Sequence, residues 1–323
     1  VLAGAREDTV SVWDLAGATE IGLLRAELGS SISKLAFSSA GEAIGAVIDG
    51  SEIGIWDLET GSISAVLSRP SGTVSDIAFS TDGRLLASYG VGPQITVWDL
   101  NAGQVSLTLL SPTRAPITGI AFSPDGETLA SADEDANITL WDFKSGGQTV
   151  LSAHADLVER FKFGPGGMEL ASEGADAQLI LWDVASGQVQ AALPARADAM
   201  VTGLAFSPDG GLLANVGANN EILLWEVSSG RLMQVLAGQF DLIEEVAFSA
   251  NGQTLASIGA EGYVIVWDLS SGSERMSFQL WDADTGTQLP LSAVAAPAVQ
   301  ISPSSDLLIG QSAIGSAMSA DAE

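Results

Sequence analysis

Seven Trp-Asp or Trp-Glu pairs recur along the chain at a nearly constant interval: Trp13-Asp14, Trp56-Asp57, Trp98-Asp99, Trp141-Asp142, Trp182-Asp183, Trp225-Glu226 and Trp267-Asp268. Successive tryptophans stand 43, 42, 43, 41, 43 and 42 residues apart. A fixed period of this length marks an array of one repeated supersecondary unit, which buries its apolar surface only by stacking on its neighbours.

Each unit reads the same way. A first strand ends in Ala-Phe-Ser, as at Ala36-Phe37-Ser38, Ala78-Phe79-Ser80, Ala121-Phe122-Ser123, Ala205-Phe206-Ser207 and Ala247-Phe248-Ser249. A turn follows, Pro124-Asp125-Gly126 and Pro208-Asp209-Gly210 or the related Thr81-Asp82-Gly83. Proline there presets φ and Asp-Gly supplies a positive φ, the backbone a hairpin needs. A small-residue strand comes next (Leu129-Ala130-Ser131, Leu170-Ala171-Ser172), then a third strand that alternates into the tryptophan (Ile138-Thr139-Leu140-Trp141). A Gly-containing turn, Glu59-Thr60-Gly61 or Ala185-Ser186-Gly187, leads to a fourth. We label the four strands a, b, c and d. Small residues in b allow close packing between units, and the Phe of a and the Trp of c fill the space between them.

With these motifs in phase over essentially its whole length, the chain resembles the WD40-repeat family, and most of all the regular arrays of that family found in bacteria. The resemblance implies an all-β fold, a seven-bladed β-propeller of four-stranded antiparallel blades, and a rigid scaffold for protein–protein contacts. The opening Val1-Leu2-Ala3-Gly4 aligns with strand b, so the first blade lacks its strand a. Val299-Gln300-Ile301-Ser302 matches Leu204-Ala205-Phe206-Ser207, and Leu307-Leu308-Ile309 matches the strand b that follows. A C-terminal strand a can therefore complete the N-terminal blade and remove the free edges. Residues 1–311 are expected to form one propeller, with an irregular insert over about 273–296 that contains the out-of-phase Trp281-Asp282, and an Ala/Ser-rich tail at 312–323. The start within a blade, without an initiator Met, also fits one module of a longer protein.

Charge bounds the partners. Forty acidic and 12 basic residues give a net charge of −28, a surface that repels nucleic-acid phosphate and anionic lipid. No apolar run reaches the roughly 18 residues of a membrane span. The expectation is a protein partner, preferably basic, with no nucleic acid and no membrane insertion. A Lys-poor acidic surface serves solubility in salty, acidic or extracellular settings, which favours a place outside the cytoplasm over one within it. The absence of cysteine excludes disulfides, thiolate catalysis and Cys-ligated metals.

Family blades often carry a Gly-His before strand a, whose His joins a relay with a strand-b Ser or Thr, a b–c turn Asp and the strand-c Trp. The resemblance places His154, Ser172, Asp176 and Trp182 in such a relay, and in one blade only. In the other blades it leaves hydrophobic packing and strand ladders, with fewer buried polar networks. His154 is the only histidine, so this structural reading outweighs any triad or His-rich metal site. No nucleophile elbow, phosphate-binding Gly-rich loop or dinucleotide fingerprint occurs at a strand–helix junction. No cofactor, catalytic residue or metal ligand is therefore assigned.

Asp133, Asp135 and Asn137 are spaced like early calcium ligands, but the sixth position is Ile138 and the twelfth is Lys144. They read as an ordinary b–c turn, with Asp135 in register with the relay Asp176. Carboxylates converging on a central channel would be the route to an enzyme or a ligand- or cation-binding module. The stronger candidates are Arg69, Arg114, Arg196 and Phe240, all in d–a loops, which open on the same face as the b–c turns. Arginine and aromatic side chains are favoured interface anchors, whereas the bland alternative is that the arginines offset nearby b–c acids.

Overall fold

The computed structural model describes residues 2–6, 9–14, 19–25, 30–38, 41–68, 72–194, 203–260 and 263–279. The described chain is built of antiparallel β-sheets, each named here for the tryptophan on its strand c. Six sheets have four strands in the order a-b-c-d, and the Trp13 sheet has three. Its strands Leu2–Arg6, Thr9–Asp14 and Thr19–Arg25 are b, c and d, because Leu2 pairs with Trp13 as Leu86 pairs with Trp98. In the Trp182 sheet the strands are Val158–Phe163, Glu169–Gly174, Gln178–Asp183 and Gln188–Pro194. In the Trp267 sheet they are Ile243–Phe248, Thr254–Gly259, Tyr263–Asp268 and Ser273–Gln279.

The insert expected from about residue 273 thus begins with a regular strand. Gly272 at φ +68° closes the c–d turn, and residues 273–279 pair along strand c from Asp268 back to Tyr263. The Trp281 segment, the closing strand expected over residues 299–309, the tail and the loop residues Arg69 and Arg196 lie outside the described residues.

Local chemistry accounts for the repeat. In the a–b turns, the hydroxyls of Ser80, Ser123 and Ser207 donate to Asp82, Asp125 and Asp209 at 2.6, 2.5 and 2.6 Å. Each aspartate also accepts the backbone N–H two residues on, an Asx turn. The glycine after it sits at φ +68° to +73°, in the left-handed region. Asp57, Asp99, Asp142, Asp183 and Asp268 of the Trp-Asp pairs likewise cap their c–d turns, as when Asp57 accepts Thr60 N at 2.7 Å and Asp183 accepts Ser186 N at 2.7 Å.

The core lies between sheets rather than within them. Each apolar cluster joins two successive sheets and contains the tryptophan of the later one. Ala171, Leu179 and Leu181 of the Trp182 sheet, for example, pack with Leu213, Leu223 and Trp225 of the next. A sheet is apolar on both faces, so each needs a neighbour on both sides, as repeat stacking requires. The a-strands contact one another in succession, more than any other strands of adjacent four-stranded sheets, so these sheets converge there, and we call the a-strands the inner strands.

Candidate interaction face

The d–a loops and b–c turns share one side of the sheets and are bonded to each other. Asp49 N donates to Ser31 O at 2.8 Å, Glu134 N to Pro116 O at 3.0 Å, Ala175 N to Leu157 O at 2.8 Å and Ala260 N to Leu242 O at 2.8 Å. Four sheets therefore present preordered loops.

Side-chain relays beneath the loops fix them further. In the Trp182 sheet, Trp182 Nε1 donates to Ser172 Oγ at 2.8 Å, and His154 Nε2 lies 2.8 Å from the same oxygen. His154 Nδ1 lies 3.0 Å from Asp176 Oδ1, and Asp176 also accepts Ala155 N at 2.7 Å and Gln178 N at 3.1 Å. A proton on Nδ1 satisfies the whole chain, with the Ser172 hydroxyl donating to Nε2. Burial alone would raise the Asp176 pKa, but the Ala155 N–H, His154 and the Gln178 N–H outweigh it and hold the carboxyl below its usual range. The geometry has the order of a Ser-His-Asp triad. Ser172 is nevertheless fully buried and its oxygen already accepts the indole N–H, so no substrate reaches it.

Two other sheets build the equivalent network from different residues, which adds to the polar networks expected from the sequence. In the Trp267 sheet, Trp267 Nε1 donates to Ser257 Oγ at 2.9 Å and Ser257 Oγ donates to Gln239 Oε1 at 2.5 Å. Gln239 Nε2 then donates to Asp241 Oδ1 at 3.0 Å and Tyr263 O at 3.1 Å. Here an amide replaces the imidazole, and the carboxylate comes from the d–a loop instead of the b–c turn. In the Trp141 sheet, Trp141 Nε1 donates to Ser131 Oγ at 2.9 Å, and the buried carboxylate is Asp133. Asp133 accepts Thr113 Oγ1 at 2.7 Å, Asp135 N at 3.0 Å and Asn137 N at 3.1 Å. The register match of Asp135 with Asp176 does not carry over: Asp135 is exposed, and Asp133 ties the turn to the loop.

The last residue of strand b explains the difference. It is Gly174 in the Trp182 sheet, where a Cβ would come within 2.6 Å of both Asp176 and His154. In the Trp267 sheet it is Gly259, where a Cβ would fall on the Asp241 carboxylate. In the Trp141 sheet that place holds Asp133 itself, whose side chain fills the space the glycines leave open.

On this framework Phe240 stands 65% exposed, with Gln239 and Asp241 buried on either side. Its ring meets that of Tyr263 edge-on, with centroids 4.3 Å apart and an interplanar angle of 74°. Leu242 is exposed beside it, and Leu157 and Val91 project from other loops of the same side. The alternation Gln239-in, Phe240-out, Asp241-in, Leu242-out was the signal that could have found Leu242. Arg114 is exposed at φ +66°, its N–H donating to Ser111 O at 3.1 Å. Arg114 and Phe240 belong to the Trp141 and Trp267 sheets, so the structure puts both on the loop side without bringing them together.

The inner strands hold a second group of charges. Lys34, Asp76, Arg160 and Glu245 occupy one register position on four a-strands. Glu245 faces Lys162 Nζ at 3.4 Å and Arg160 at 3.7 Å, an ion pair that spans the intervening Trp225 sheet. Burial raises the Asp76 pKa, an effect that the Ile77 N–H and Lys34 only partly offset. Three of the 12 cations in the chain thus lie beside these two carboxylates.

The family model for the WD domain, G-beta repeat, matches residues 61–99, 103–142, 187–226 and 230–268. The chain belongs to the WD40-repeat family. The six four-stranded antiparallel sheets are consistent with a WD40 β-propeller. WD40 repeats generally mediate protein–protein interaction, and proteins built from them are typically non-enzymatic scaffolds. No curated protein matches the WD40 chain. Among its described residues no helix is long and apolar enough to cross a membrane.

Proposed function

We propose that this WD40 protein is a non-enzymatic scaffold, a seven-bladed ring closed by a C-terminal strand, whose loop side docks a protein partner. The observation that carries the reading is Phe240, a large aromatic side chain presented to solvent between two buried, hydrogen-bonded neighbours. Holding such a residue exposed on an ordered loop lowers the entropy lost on binding, and aromatic anchors dominate interface energetics. Arg69, Arg114 and Arg196 complete the proposed contact. Glu134, Asp135, Asp156 and Glu159 are exposed on or beside the same loops, which favours a partner that is basic around an apolar pocket.

Crosslinking mass spectrometry on material from the native source tests the reading. Reproducible crosslinks from the d–a loops to one neighbouring protein are expected, with Phe240→Ala weakening that complex about tenfold or more. Unchanged binding after replacement of Arg69, Arg114, Arg196 and Phe240 together would refute it.

A second reading, a ligand- or cation-binding module or an enzyme, draws on the raised proton affinity of Asp76 among the inner strands. Its pairing with Lys34 and that of Glu245 with Arg160 and Lys162 make it the weaker of the two.

A further inference from the structure

Strand b of the Trp182 sheet buries a second polar side chain next to the relay serine. Glu173 is fully buried; its Oε1 accepts Asn215 Nδ2 at 2.8 Å, and its Oε2 is buried with no hydrogen-bond partner among the described residues. Asn215 lies on strand b of the Trp225 sheet (Leu212–Val216), where the Trp98, Trp141, Trp182 and Trp267 sheets have Ser88, Ser131, Ser172 and Ser257. It still serves its own indole, because Asn215 Oδ1 accepts Trp225 Nε1 at 2.8 Å. The longer amide lets one residue serve both sheets, so a polar chain Glu173–Asn215–Trp225 crosses an otherwise apolar interface.

Few charges face Glu173. Arg160 stands opposite it in register on strand a of its own sheet, with Glu159 beside it. Strand c pairs Leu179 with it. From the neighbouring sheet, strands a (Leu204–Phe206) and b contain no titratable side chain. Arg160 is also the residue that reaches Glu245 at 3.7 Å across the inner strands. One guanidinium therefore lies between two carboxyl groups, one buried in the sheet interface and one lining the inner strands.

We propose that the Glu173–Asn215 contact is a proton-operated joint between the Trp182 and Trp225 sheets, with Arg160 as its movable counter-ion. A neutral Glu173 sits in the apolar interface with one hydrogen bond and leaves Arg160 to Glu245. An ionised Glu173 puts an uncompensated charge between the sheets, a costly state unless water enters or a cation moves in. The cation within reach is Arg160, and its transfer would loosen the inner-strand tie to Glu245. Burial supports the neutral form by pushing the carboxyl pKa from 4.5 up to about 8, against the pull of the Asn215 hydrogen bond and Arg160. A carboxyl whose folded pKa is raised contributes stability that is present below its unfolded pKa and is lost as pH rises to the folded one.

The test is the urea unfolding of the full chain between pH 5 and 9, with Glu173→Gln beside the native protein. Gln keeps an acceptor for Asn215 and cannot ionise. The native unfolding constant is expected to rise about tenfold per pH unit from pH 5.5 to 7.5, and Glu173→Gln to remove that rise. Hydrogen exchange at pH 6 and 9, corrected for intrinsic rate, should show the native protein alone losing protection over residues 158–174 and 204–216 at the higher pH. Asn215→Ser restores the residue used elsewhere and takes away the amide that donates to Glu173, so it should extend the sloping limb to higher pH. Parallel native and Glu173→Gln curves across this range, or equal protection at the two pH values, would overturn the proposal.

Discussion

The Trp182 and Trp267 sheets solve one packing problem with different residues. Each must satisfy a buried indole N–H and a strand-b serine and fasten the d–a loop above them. The Trp182 sheet uses His154 with a carboxylate from its b–c turn, and the Trp267 sheet uses Gln239 with a carboxylate from the d–a loop itself. The position asks for a side chain that meets the serine with one end and a carboxylate with the other. Imidazole and amide both do so, and the carboxylate can approach from either loop provided strand b ends in glycine. What differs is the neighbour of the serine: Glu173 in one sheet and Ile258 in the other. That difference confines the proposed proton-operated joint to the Trp182 side.

The largest effect should come from closing the space both relays depend on. Gly259→Ala and Gly174→Ala each force a methyl group into the relay carboxylate, and each should cost about 2–4 kcal/mol by urea midpoint. Gly259→Ala should be the worse, because its methyl falls directly on Asp241. Equal and negligible effects would break the shared-relay account. Next come the serines: Ser172→Ala and Ser257→Ala each strand a buried indole N–H and a second polar group, at about 2–3 kcal/mol by the same measurement. Similar values would show that the two relays are energetically alike.

Exchanging the central residue should matter less. His154→Gln installs the residue the Trp267 sheet already uses, and should cost about 1 kcal/mol, well below the serine variant. A cost as large as that of Ser172→Ala would mean that the backbone of each loop, and not the hydrogen-bond pattern, selects its residue. The smallest effect is expected at the c–d caps, where Asp183→Asn and Asp268→Asn should lower the melting temperature slightly and equally. Hydrogen bonds from Ser186 in one turn, and from Ser270 and Ser271 in the other, hold these carboxyls below the usual range. With folded pKa values depressed, the caps stabilise above the unfolded value of 3.8 and lose that contribution as pH falls through the folded one. Thermal melts from pH 3 to 6 should show a shallower acid limb in both variants.

The sequence by itself determined the repeat. The Trp spacing, the Ser-x-Asp-Gly turns and the small-residue strands are local chemistry, and each reappears as a strand, a positive-φ glycine or an Asx cap. The same reading placed His154, Ser172, Asp176 and Trp182 together through family resemblance, because all four fall in one unit at fixed offsets. Only the tertiary structure decided which polar residues are buried and what they meet. Asp133 and Asp135 look interchangeable in the sequence, but one is buried and the other exposed because strand b ends at Asp133 and the turn carries Asp135 outward. Gln239 stands at the offset of His154, each 18 residues before its serine, but the offset alone does not show that an amide there joins a relay or that its carboxylate comes from Asp241. Glu173 and Asn215 stand 42 residues apart, and Lys162 and Glu245 83 residues apart; each pair meets because stacking brings corresponding strands of different sheets together. A repeat fixes what lies within a unit, whereas contacts between units depend on where each copy departs from the pattern.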